Sequence, residues 1–239
     1  MKMGDKESSF TKDMRKATRN VHSISDALVN AKLAFALSDD GVWADGLLIF
    51  YEVFKFLERN VPETILPVAF HRRTAFEKDL SFYLGKDWEK SYQMRKEVAK
   101  YVEHLQSLKE RNAMLLVAYV YHLYMGLLSG GQILQKKRRL AKNFTSGVDG
   151  AENGMAVTDF GSVPIHELKT RMRRLIDQLA QSYSDETKSL LIEESEKVFQ
   201  YNNSIIRTVK DVNKVGLRKF LCFSGLFFIL YLIYKVFTT

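Results

Sequence analysis

Three observations predict an all-α fold. Apolar residues recur at helical spacing through most of the chain, no clear run of period-2 alternation interrupts them, and only three prolines occur in 239 residues. That length suits one domain with a substantial core, with room for an appendage.

Residues 1–8 are polar and read as a disordered N-terminus ahead of a helical domain spanning 9–214. From Ser9 the apolar positions Phe10, Met14, Ala17, Val21, Ile24 and Leu28 step by three or four along one helical face. Asp39, Asp40 and Gly41 mark a turn, and Val42–Arg59 reads as a second helix. Pro62 and Pro67 bracket a loop. A third helix is expected over His71–Leu84, a fourth over Ser91–Leu108 and a long central one over Asn112–Leu140. Asn143–Gly161 holds four glycines with little periodicity and reads as a loop or flap. A helix then starts near Pro164 and runs through Leu179. Ser184 or Asp185 can cap the last domain helix, roughly Glu186–Lys214.

The central stretch Met114–Leu134 runs for 21 residues without a formal charge, yet carries Gly126, Gly130 and Gly131. Each interior glycine costs a helix roughly 1 kcal/mol relative to alanine, so three in six residues need a reason. Glycine lets a backbone approach something flat or large, and Gly126 and Gly130, four apart, share one face. That face reads as one wall of a slot. Tight helix packing is the plainer alternative. A membrane span with a Gly-x-x-x-Gly dimer face is another, although Tyr119, Tyr121, His122, Tyr124, Ser129 and Gln132 make it poor in lipid. Leu128-Ser129-Gly130-Gly131-Gln132 also matches the signature of ABC-transporter ATPases, but the chain has no phosphate-binding loop motif to accompany it.

The net charge of +8 favours acidic partners, a membrane surface or anionic ligands, and nucleic acid is not an expected partner. A single cysteine, Cys222, rules out an internal disulfide and any cysteine-based zinc site. MKMGDKESSF has no apolar core and does not read as a signal peptide, so a reducing compartment is expected. Phe220–Tyr234 is uncharged and, with Val236 and Phe237 beyond Lys235, extends to roughly 27 Å of helix at 1.5 Å per residue. Arg218 and Lys219 precede it, which favours a cytosolic domain. Residues 217–237 therefore read as a C-terminal transmembrane tail anchor, short enough for the thin endoplasmic reticulum membrane.

Lys12, Arg15, Lys16 and Arg19 lie one to two turns before His22. A lone helical histidine is usually a surface residue. Beside a line of cations it can instead ligate a metal whose organic frame bears carboxylates.

With these residues in view the chain resembles the heme oxygenase family. The resemblance rests on four blocks in order: MRKATRNVH, HRRTAFEKDLSFYLG, LLVAYVYHLYMGLLSGGQIL and IEESEKVFQYN. It implies one all-α domain holding heme b, as substrate and cofactor, between the first helix and the glycine-bearing distal helix. His22 would be the proximal iron ligand. Gly126 and Gly130 would lie against the porphyrin, and Arg15, Arg19, Tyr121, Lys169 and Arg173 would meet its propionates. The family's reaction uses O2 and electrons from NADPH through NADPH-cytochrome P450 reductase, and yields biliverdin, carbon monoxide and ferrous iron. Biliverdin reductase is a further implied partner. The basic runs Lys136–Arg139 and Arg171–Arg174 would serve as a docking surface for the reductase, or are simply solvated faces.

One departure from the family pattern bears on catalysis. The family places an aspartate directly after the glycine of this helix, where it orders proton-delivering waters; here Leu127 follows Gly126. Leu123 stands where the resemblance implies an arginine, and Phe54 where it implies a tyrosine. Leucine can neither donate nor accept a hydrogen bond, so a drier distal pocket is expected. The readings that follow are an oxygenase that is slow or relaxed in regiospecificity, a heme-binding sensor or buffer, and a non-heme scaffold.

Overall fold

The computed structural model describes residues 9–33, 37–146, 154–210 and 234–235. The expected disordered residues 1–8, the middle of the glycine-rich segment and the tail anchor, apart from Tyr234 and Lys235, lie outside these. Among the described residues the structure is helical, without strands. Its elements are α1 (Phe10–Ala17), α2 (Arg19–Leu33), α3 (Asp40–Asn60), α4 (Arg73–Leu84), the single turn α5 (Trp88–Ser91), α6 (Lys96–Asn112), α7 (Leu116–Gly126), α8 (Gln132–Ser146), α9 (Ile165–Gln181) and α10 (Asp185–Arg207).

The first expected helix is two helices. α1 ends at Ala17 and α2 starts at Arg19, with the buried Thr18 between them giving both its N–H and its hydroxyl to the Met14 carbonyl. The fourth helix begins at Lys96 rather than Ser91, with Tyr92 and Arg95 in extended backbone before it. The central helix is likewise divided. α7 passes at Gly126 into a π-helical segment, Leu127–Gly131, and α8 then continues to Ser146 instead of ending at Leu140. Widened turns of this kind recur at functional sites. Ser184 is the cap of α10, its hydroxyl accepting from the Thr187 N–H.

α7 is buried along almost its whole length, which accounts for its lack of charge. The apolar run reaching from α6 through α8 is long enough to cross a membrane, but more than half of its most apolar window is buried inside this fold. A core role is sufficient for it. α10 packs against both α2 and α7, whereas α2 has no comparable packing on α7, so α10 floors a gap between them. α9 packs on α1 and α7, where Asp177 accepts from the Thr11 N–H and from the Ser9 and Thr11 hydroxyls. The described part of the glycine-rich segment from Gly154 is tied to α4: Asp79 accepts from the Ala156 and Val157 N–H groups, and Tyr83 donates to the Gly154 carbonyl. Gly154 has φ +84°, and a Cβ there would collide with the Tyr83 ring.

Glu194 of α10 joins three helices. It accepts from His104 of α6 at 2.9 Å, from the Tyr119 hydroxyl of α7 at 2.7 Å and from Lys197 at 2.7 Å. Burial alone would raise its pKa; the hydrogen bonds from His104, Lys197 and Tyr119 outweigh that and bring it from 4.5 down to about 2. A folded pKa below the unfolded one gives stability that is complete above about pH 4.5 and lost as pH falls towards 2. Glu194→Gln is therefore expected to cost about 3 kcal/mol at pH 7 and to flatten the acid limb of stability. Urea unfolding at pH 7 and between pH 5 and 2 measures both effects.

Candidate functional site

The three glycines of the central stretch divide into two kinds. A Cβ built on Gly126 or Gly130 meets nothing within 4 Å, and both residues are exposed although Tyr124 and Leu128 beside them are buried. Gly131 instead packs, its Cβ position lying 3.4 Å from Thr158 and 3.5 Å from Leu127. Gly126 and Gly130 thus present bare backbone to open space, as a slot wall requires, while tight packing accounts only for Gly131.

α2 carries His22, exposed, with its Nδ1 3.1 Å from Asp26 one turn later. An Nδ1–H donated to that carboxylate fixes the tautomer and leaves Nε2 as a metal-binding lone pair. Asp26 was not singled out in the sequence, although the i,i+4 spacing of His22 and Asp26 is the signal that could have found it. His22 also stands edge-on to Phe199 of α10, ring centroids 5.2 Å apart.

A cationic corner lies where α1, α7 and α9 meet. Tyr121 is buried, its hydroxyl donating to the Thr11 carbonyl at 3.4 Å. Burial raises its pKa, while the charges of Arg15 and Arg173 pull it down. The Arg173 Nε is sealed from solvent and has no hydrogen-bond partner in the structure. Arg15, Tyr121 and Arg173 therefore share one corner of the fold. Arg19 is exposed at the start of α2, and Lys169 is half-buried one turn before Arg173.

Leu127 opens the π-helical segment and is half-buried beside Gly131. Leu123 and Phe54 are both buried, Phe54 packing on Tyr124 and Phe76. These three positions are apolar in fact and put no hydrogen-bonding side chain into the site.

His122 is a residue that the sequence reading used only as a mark of polarity. Its ring packs against Phe199 at 5.1 Å and Tyr121 at 5.0 Å, and its Nε2 has no partner. Burial, and secondarily the neighbouring His22, lowers its pKa to about 3, so it is a neutral imidazole at physiological pH.

The basic run on α8 is not one surface. Lys136, Lys137 and Arg139 are exposed, but Arg138 is fully buried, bound to Asp40 and the Leu37 carbonyl and stacked over Trp43 at 4.8 Å. Arg138 is a structural cation and leaves the proposed docking patch. On α9, Arg171 and Arg174 are exposed while Arg173 turns inward.

An open glycine wall, a histidine beside a carboxylate, and a cationic corner fit a flat, iron-bearing ligand with acidic side chains. Among the described residues the molecule is thus an all-helical protein with an open, glycine-walled face beside a histidine-bearing helix. The chain belongs to the heme oxygenase family, whose model matches residues 8–208. It is 33% identical to heme oxygenase 2 of Macaca fascicularis over 140 residues, covering 58% of this chain and 42% of that one. It is 28% identical to heme oxygenase 1 of Gallus gallus over 207 residues, covering 84% of this chain and 63% of that one. The match thus spans less than two thirds of these relatives' length. A structure of heme oxygenase 2 from Chlamydomonas reinhardtii without heme superposes with a TM-score of 0.75 at 29% identity, covering 84% of this chain and 97% of that one. Heme oxygenase-1 of Synechocystis, in complex with heme, has the same fold, with a TM-score of 0.76 at 23% identity over 91% of this chain and 99% of that one.

Proposed function

We propose that this chain binds heme b between α2 and the Gly126–Gly130 wall and oxidatively opens it to biliverdin, carbon monoxide and ferrous iron. The observation that carries the reading is the open space at both glycines together with the His22–Asp26 pair. Bound heme supplies the iron that activates O2 and the macrocycle that is consumed. Asp26 orients His22 and makes its Nε2 a stronger donor to iron. Arg15, Arg173 and Tyr121 hold the two carboxylates, joined by Arg19 and Lys169 on ligand entry. Gly126 and Gly130 admit the flat ring, and Leu127 keeps the neighbouring space dry.

Electrons come from NADPH through NADPH-cytochrome P450 reductase, docking on the exposed cations Lys136, Lys137, Arg139, Arg171 and Arg174. Biliverdin reductase would take the product. Residues 217–237 hold the domain on the cytosolic face of the endoplasmic reticulum, and a chain ending before Leu217 is expected in the soluble fraction after cell lysis. Its recovery with membranes would contradict a sole tail anchor.

A second reading is a heme-binding sensor or buffer with little turnover, favoured by the apolar residues at Leu127, Leu123 and Phe54. One experiment separates the two: the full-length chain in detergent with hemin, NADPH and the reductase, followed by chromatography of the pigment. Biliverdin is the expected product. Heme that binds and survives would leave the binder, and hemin that does not bind would overturn both readings.

A further inference from the structure

The π-helical segment Leu127–Gly131 is the part of the central helix least able to hold itself. Wide turns of this kind are rare, and Gly130 and Gly131 weaken any helix relative to alanine. Contacts from outside therefore have to fix it. They come from residues 154–160. Gln132, directly after the π-helical segment, donates from its side-chain Nε2 to the Thr158 carbonyl at 2.7 Å. The Thr158 methyl lies 3.4 Å from the Cβ position of Gly131, so this short stretch of chain is seated against the back of the glycine wall.

On its other side the same stretch is fixed to α4. Asp79 is buried and accepts from the Ala156 and Val157 N–H groups at 2.8 and 2.9 Å. Tyr83 donates to the Gly154 carbonyl at 2.8 Å. Arg72, just before α4, donates to the Asp159 carbonyl and stacks over Phe160 at 4.1 Å. Met155, Val157 and Thr158 are buried between these ties. Residues 154–160 thus form a strap that runs from α4 to the glycine wall. Breaking it at either end would let the π-helical turn relax towards an ordinary α-helix, which changes the register of the residues that follow and so the groups that face the slot.

We propose that Gln132 and Thr158 are positioning residues of the glycine wall, and that the strap they belong to, anchored by Asp79, holds Gly126, Leu127 and Gly130 in one arrangement over bound heme. This rests on the reading that the slot binds heme. Gln132, Thr158 and Asp79 act through the wall and need not touch the ligand.

The test uses the full-length chain in detergent, loaded with hemin and reduced with dithionite, in three forms: unmodified, Gln132→Met and Asp79→Asn. Gln132→Met keeps the length and helix propensity of the side chain but has no N–H to donate. Asp79→Asn puts an amide nitrogen where one of the two strap N–H groups needs an oxygen. Far-UV circular dichroism checks that each form is folded. The iron–histidine stretching band in resonance Raman reports the His22 side of the iron, and the C–O stretching band after addition of carbon monoxide reports the side of the glycine wall. Both variants are expected to shift or split the C–O band while the iron–histidine band stays in place. An unmoved C–O band in either folded variant would overturn the proposal and leave the heme-binding reading intact; Gln132→Met decides alone if Asp79→Asn does not fold. Both bands moving together would mean a general loosening of the fold and would also overturn it. Folded unmodified protein that takes up no hemin would instead sink the heme-binding reading, and the proposal with it.

Discussion

Leu127→Asp is expected to speed heme turnover by about a hundredfold, the low end of the range that positioned proton transfer contributes to catalysis. Leu127 stands at the first position of the π-helical segment, half-buried and next to the glycine wall. A carboxylate there can hold water by accepting its hydrogen bonds, which leucine cannot. Ordered water supplies protons along a fixed path, so the variant should also give a narrower distribution of biliverdin isomers. Single-turnover pigment formation and chromatography measure rate and isomer pattern separately. Leu127→Asn is the informative companion, since it can hold water without titrating. If both variants leave rate and isomers unchanged, protons already arrive by another route and the dry pocket is no handicap.

Gly126→Ala and Gly130→Ala are expected to stabilise the ligand-free protein while weakening its hold on hemin. Neither glycine adopts a backbone angle that excludes alanine, and no atom lies within 4 Å of the added methyl. Each should therefore gain about 0.5–1 kcal/mol in the apo form, through better helix propensity and a less flexible unfolded chain. A ring seated directly on the backbone is displaced by that methyl. Overpacking of this sort costs about 1–3 kcal/mol, or roughly fivefold to 150-fold in affinity. Urea unfolding without ligand and hemin titration give the two signs independently. A glycine kept only for helix packing would show the reverse, with loss of stability and unchanged hemin binding. That opposition makes the pair a direct test of the slot.

Apolar spacing and scarce proline were enough to read the all-α class, because both are local properties that dictate helix formation. The sequence also offered Ser184 or Asp185 as the cap of the last helix and put Gly126 and Gly130 on one face, since four-residue spacing fixes a common helical side. Tertiary structure decided how these pieces combine. Only packing shows that Gly131 touches Thr158, that Arg138 is buried against Asp40 in a run that reads as exposed cations, and that Arg173 turns inward beside Tyr121. The meeting of His22, His122 and Phe199 joins residues 77 to 177 positions apart in the chain. Periodicity carries no information about such distant pairs. They are set by α10 filling the floor between α2 and α7, and that arrangement exists only once the core has closed.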